Sequence, residues 1–149
     1  MNDYQKIANL ISHYSRIYDD GDFEGYARLF EHGEITGPVG DFRTIEEIAD
    51  YHRSSIVVGE DGRPNMIHAI SNLIIEVEEG ADTASAECVV TVLTAAENVP
   101  LQIGFVGYYI DTFHKIDGKW WFKTRHCEPR FYGDMRAMSK QAAAAAEAG

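Results

Sequence analysis

The sequence predicts an α+β fold in which helices come first and a curved, mostly antiparallel sheet follows, with the helices on one face of the sheet. Two observations predict it. Apolar residues recur at steps of three and four in the N-terminal part of the chain, as on an amphipathic helix. From Met66 onward the period changes, in long runs rich in β-branched and aromatic residues that follow directly on one another across tight turns.

Ile7, Leu10, Ile11, Tyr14, Ile17 and Tyr18 form the apolar stripe of a first helix, which Asn2 or Asp3 can cap. Gly21 ends it, and Asp22 caps a short second helix carrying Phe23, Tyr26, Ala27, Leu29 and Phe30. The Gly/Pro-rich passage from Gly33 to Asp41 holds a short strand at most. Thr44-Ile45-Glu46-Glu47 is a capping box, so a third helix should run from Ile45 to about Val58, before the turn-rich loop Gly59–Asn65. Met66–Val77, Thr83–Ala95, Leu101–Ile116 and Lys119–Tyr132 read as four long strands. Glu79–Asp82 and Asp117-Gly118 are the hairpin turns, the second a strong short-range signal. The tail from Asp134, with its five consecutive alanines, is a loosely held helix across the sheet's open end or a frayed terminus.

With 149 residues and no linker or internal repeat, the chain is expected to be a single domain, 1–149, with its core at about 3–132 and a tail or helix at 133–149. A formal charge of −11 argues against a nucleic-acid surface and against an anionic membrane surface. No run approaches the roughly 20 apolar residues of a membrane span, and Met1–Lys6 lacks a signal peptide's apolar centre, so a cytoplasmic location is expected. Cys88 and Cys127 lie in strand-like runs and read as buried thiols.

Chemistry has few places to sit. On the first helix Asp19 falls to one side of the apolar stripe, in a column with Ala8, Ser12 and Ser15. It is either a solvated residue of the last turn or, because small residues beside a stripe leave room, the lining of a cavity. His68 lies in Met66–Ile74, where alternation puts His68, Ile70 and Asn72 on one face and Ile67, Ala69 and Leu73 on the other. It is a core histidine or a functional one; a histidine titrates near neutrality, and a carboxylate partner would orient it and raise its basicity. Tyr109, Asp111 and Phe113 share a face, and Asp111 with Arg125 suits a structural ion pair across neighbouring strands better than catalysis. There is no His-Glu-x-x-His or Cys-x-x-Cys for a metal, no Gly-x-Gly-x-x-Gly or phosphate loop for a nucleotide, and no Gly-x-Ser-x-Gly for a hydrolase. What remains is acid–base chemistry without a cofactor, or no chemistry.

The motifs Tyr14-x-x-x-Tyr18-Asp19-x-Gly21-Asp22, Leu29-Phe30, His68-x-Ile70-x-Asn72, Gly107-x-Tyr109-x-Asp111 and Asp117-Gly118-x-Trp120 together resemble the SnoaL-like branch of the nuclear transport factor 2-like superfamily over residues 3 to about 132. The resemblance implies a cone-shaped, cystatin-like α+β fold with three N-terminal helices on the concave face of the sheet. That scaffold hosts dehydratases, isomerases, cyclases, an epoxide hydrolase and non-catalytic subunits. Within it the chain is most similar in look to scytalone dehydratase and the bile-acid dehydratase, in which an Asp at the position of Asp19 pairs with a His at the position of His68. It departs from both on the next strand. Each of those enzymes has a second ionisable residue there, and the matching stretch here is Cys88-Val89-Val90-Thr91-Val92-Leu93.

The resemblance therefore implies an acid–base dehydratase or isomerase for a small hydrophobic hydroxy-carbonyl compound, with Asp19, His68, Tyr14 and Tyr18 catalytic and Asn72, Tyr109, Asp111 and Phe30 lining the pocket. It implies no cofactor and no metal, and a homodimer or homotrimer. The competing expectation is a non-catalytic ligand-binding or assembly subunit like the small subunit of ring-hydroxylating dioxygenases, its pocket filled by side chains.

Overall fold

A computed structural model describes residues 1–148. The first helix, α1 (Asp3–Asp19), begins at a capping box in which Asn2 accepts from the Gln5 amide and Gln5 accepts from the Asn2 amide. Its inner stripe is Ile7, Ile11, Tyr14 and Tyr18, all buried. Asp3 is buried as well and ties the start of the helix to the far end of the sheet, accepting from Trp120 Nε1 at 3.0 Å and Lys115 Nζ at 3.3 Å. Gly21 turns the chain out of α1 with φ +82°, and a Cβ there would lie 2.3 Å from the Gly62 carbonyl oxygen. Glycine is required for both reasons, and loop 59–65 closes against the end of α1 in consequence.

Asp22 caps α2 (Phe23–Arg28) by accepting from the Gly25 amide at 2.9 Å, and a Thr44–Glu47 capping box opens α3 (Ile45–Ser55). This third helix stops short of Val58 because the chain beyond it is used for bridging: Ile56 pairs with Ser139 and Val58 with Pro64. The passage expected to hold one short strand at most forms two, β1 (Glu34–Gly37) and β2 (Gly40–Phe42). The long strands follow as β3 (Met66–Glu76), β4 (Thr83–Ala96), β5 (Val99–Ile116) and β6 (Lys119–Tyr132), giving one sheet in the order β2-β1-β6-β5-β4-β3. Its pairs are antiparallel except β1 with β6, which aligns Ile35 with Arg125 and Thr36 with His126. Asp117 and Gly118 both have positive φ, as a two-residue type I′ hairpin requires.

One helix, α1, touches β3 and β6, which are separated in the sheet by β4 and β5, so the sheet curls around it. The tail is a helix, α4 (Lys140–Ala148), held at the open end by the Ile56–Ser139 bridge and by the Val57 amide donating to the Met138 carbonyl at 2.9 Å. None of the described helices is long and apolar enough to cross a membrane.

At the bottom of the cone Arg125, with no exposed surface, donates from Nε and Nη2 to both oxygens of Asp111 at 2.7 and 2.6 Å. The two residues are directly paired across β5 and β6. Burial opposes the charge on Arg125, but Asp111 outweighs it and raises the guanidinium's pKa. Removing one partner would strand the other charge in the core. Asp111→Ala is therefore expected to lower the unfolding free energy by about 3–5 kcal/mol, read as a fall in the urea midpoint with an unchanged m-value.

Candidate active site

The end of α1 and the start of β3 meet through one carboxylate. Asp19 Oδ2 accepts from the His68 backbone amide at 2.9 Å, and Asp19 Oδ1 lies 2.6 Å from His68 Nδ1. An ionised carboxylate only accepts, so the ring proton is on Nδ1 and the Nε2 lone pair is free. The grip is double, and it fixes both the position of the strand and the orientation of the ring. His68 lines a cavity of about 540 Å³ inside the cone, with Tyr14, Tyr18, Tyr26, His52 and Tyr109 around its floor and Phe105, Met138 and Ala142 among its walls. Asp19 is not in that lining. It reaches the cavity through His68 and faces a separate cleft beside Arg16, Asp20 and Arg63.

Four phenols pack on one another in the cavity lining, and two of them, Tyr14 and Tyr18, flank the imidazole. The ring of Tyr18 lies 4.6 Å from that of His68, edge to face, and the Tyr14 and Tyr26 hydroxyls are 3.2 Å apart. Arg125 Cζ lies 4.0 Å from the Tyr14 ring centroid and 3.9 Å from that of Tyr109, the two rings being inclined to each other at 73°. Burial raises the pKa of Tyr14, opposed by the Arg125 charge and by hydrogen bonds with Tyr26 and Tyr109. Burial raises Tyr18, Tyr26 and Tyr109 further still. All four are protonated at neutral pH and can donate. Cys127 also lines the cavity, but burial pushes its thiol up to about 11, too high for a thiolate nucleophile at neutral pH.

Of the residues expected at the site, the structure brings Tyr14, Tyr18, His68 and Tyr109 to the cavity with Asp19 behind them. Three expected lining residues lie elsewhere. Asn72 takes φ +52° in a β-bulge between Ser71 and Ile74, a conformation Asn tolerates better than most side chains, and this throws it to the exposed face. Strict alternation therefore fails after Ile70, and Leu73 rather than Asn72 turns inward to pack on the core. Phe30 is stacked on Phe122 at 4.8 Å within the core, and Asp111 is committed to Arg125 below the floor.

The residue that sequence reasoning missed is His52. It falls on the stripe Ile45, Ile48, Ala49, His52 of α3, a spacing visible in the sequence. It is buried, lines the cavity, and its Nδ1 lies 2.6 Å from the Ile48 carbonyl. Burial lowers its pKa from 6.5 to about 4. Between those values the unfolded chain binds a proton that the folded chain does not, so stability falls on acidification through that window. The His52→Gln variant is expected to lose this component, flattening the pH dependence of unfolding between 6.5 and 4 by up to about 1.4 kcal/mol per unit, measured by urea titrations at successive pH values.

A curled sheet holding helices in its concavity, with a cavity at their junction, defines the cystatin-like or nuclear transport factor 2-like class, and solved structures of that class superpose on the chain. One is a protein of unknown function with a cystatin-like fold from Nostoc punctiforme, 24% identical, with TM-score 0.70 over 86% of this chain and 91% of that one. Another is a provisionally named scytalone dehydratase from Novosphingobium aromaticivorans, 24% identical, with TM-score 0.69 over 88% and 86%. A third is the β subunit of a provisionally named aromatic-ring-hydroxylating dioxygenase from the same organism, 20% identical, with TM-score 0.69 over 87% and 90%. These likenesses establish the fold. The family comes from the sequence: a SnoaL-like domain profile matches residues 1–126, and the chain belongs to that family. No curated protein matches it.

Proposed function

We propose that the protein is a cofactor-independent acid–base enzyme, a dehydratase or isomerase of a small apolar hydroxy-carbonyl compound. The observation that carries this reading is the Asp19–His68 hydrogen bond at 2.6 Å behind an open, largely apolar cavity. His68 Nε2 takes a proton from the carbon α to the ligand carbonyl, and the C–H electron pair moves into the enolate. Asp19 holds the imidazole in the Nδ1–H tautomer and stabilises the imidazolium that forms. Tyr14, backed by Arg125 and by its hydroxyl neighbours, donates to the enolate oxygen. The enolate then expels a β-hydroxyl, which leaves as water with the proton returned from His68 Nε2; return of that proton to another carbon gives an isomerase.

A non-catalytic assembly subunit of this fold, its pocket filled by side chains, would need neither an oriented base nor space beside it. The cavity of about 540 Å³ weighs against that alternative, since the cone is not filled by its own side chains. The reading is tested with a panel of bicyclic β-hydroxy-ketones, followed by release of water and by exchange of the α-hydrogen with deuterated solvent. The parent is expected to turn over or exchange at least one of them. His68→Ala should cost about 10²–10⁴ in rate, and Tyr14→Phe about 10². Unchanged turnover in His68→Ala would remove the proposal.

A further inference from the structure

The scheme above uses one imidazole, and the cavity has two. His52 comes to it from α3, and the Tyr18 ring is a neighbour of both: its centroid lies 5.1 Å from the His52 ring and 4.6 Å from the His68 ring. A carbonyl oxygen only accepts, so the contact of His52 Nδ1 with the Ile48 carbonyl fixes the proton on Nδ1 and leaves the lone pair on Nε2. Around the ring stand Tyr18, Phe23, Tyr26 and Tyr51 with centroids at 4.8–5.8 Å, which hold its plane in one orientation. An acceptor on a buried ring that lines a cavity, with its other nitrogen already satisfied, is suited to receive a donor from what enters.

We infer that His52 Nε2 accepts a hydrogen bond from a hydroxyl of the bound compound, making His52 a positioning and specificity-determining residue. This deepens the proposed function, resting on its assignment of a hydroxy-carbonyl ligand to this cavity. Because the ring stays neutral down to about pH 4, held there by burial, it serves as an acceptor and not as a proton donor near neutrality. The work is thereby divided. His68 handles the proton, and His52 holds a hydroxyl in place. A site built to accept from a hydroxyl discriminates against the analogue that lacks it, because the buried acceptor is then left without a partner.

The test is binding of a matched pair, 4-hydroxy-1-tetralone and 1-tetralone, to the full chain. The hydroxyl of the first is γ to its carbonyl and is not lost on enolisation, so turnover does not intrude. The parent is expected to bind the hydroxy-ketone about tenfold more tightly than the ketone, the worth of one hydrogen bond. His52→Phe should bind both alike, with its affinity for 1-tetralone within about twofold of the parent's, and His52→Gln, whose amide oxygen can accept, should keep part of the preference. Independently of any variant, the ¹⁵N resonance of His52 Nε2 in the parent should move with the hydroxy-ketone and not with the ketone. Absence of binding by either probe, absence of preference in the parent, equal loss of both probes in His52→Phe, or an unmoved Nε2 resonance would overturn the inference. Failure of the proposed function shows elsewhere, as unchanged turnover in His68→Ala, and leaves this preference standing.

Discussion

A guanidinium with no access to water sets the floor of this cone. Arg125 is held on one edge by both oxygens of Asp111 and lies against the rings of Tyr14 and Tyr109. Desolvating an ion pair costs several kcal/mol per charge, and a hydrophobic pair of the same volume would often hold the strands as well. What the pair supplies in addition is position. It joins β5 to β6 at one register and places two phenols over a permanent positive charge, so their hydroxyls present a weakly positive, hydrogen-bonding surface to the cavity. The charge touches the ligand site only through rings. This combines a polarising floor with an apolar lining.

The second constraint is where α1 ends. Asp19 is the last residue of the helix, one turn beyond Ser15 in its own column, and the chain leaves at Gly21, where the left-handed φ and the closeness of Gly62 exclude a side chain. Helix termination, loop 59–65 and the start of β3 are thus fixed together. An Asp in the last turn of a helix is unfavourable against the helix dipole, and here the His68 amide and ring compensate it directly. The same bonds that make this carboxylate tolerable define the tautomer of His68, so the closure of the fold and the orientation of that ring come from one contact.

Much of this was legible in the sequence. The apolar stripe of α1, the two capping boxes, the Asp117-Gly118 turn and the four long strands are local signals, and local physics decides them. The meeting of Asp19 and His68 is not local; spacing left each with two readings, and only the resemblance joined them. Where the reading failed, one residue carried non-local information. Asn72 was assigned to the pocket by counting in twos, and a bulge adds a residue that no count reveals. Phe30 is an apolar residue in the turn just past α2, and its sequence looks the same whether the next layer is a ligand or Phe122. The strands β1 and β2 were read as one at most because each is very short, and β1 finds its partner, β6, some ninety residues away. His52 escaped notice since a lone histidine on a helix stripe has no local signature of the cavity it faces.

The absence of a carboxylate or imidazole over the Cys88–Leu93 stretch of β4 also acquires a physical sense. His68 is directly opposite Val92 across the β3–β4 pair, so its cross-strand neighbour is an apolar side chain. Around the cavity the four phenols and Cys127 are neutral at physiological pH, His52 is neutral, Asp19 lies behind the imidazole, and Arg125 lies beneath the rings. The charge excess of −11 belongs to the outside of the molecule. On the proposed reading the phenols donate hydrogen bonds without ionising, so the proton His68 removes is the proton it gives back. That favours a substrate whose α-hydrogen and departing group lie on the same face, within reach of one Nε2, and the hydroxyl acceptor at His52 would be the means of presenting that face.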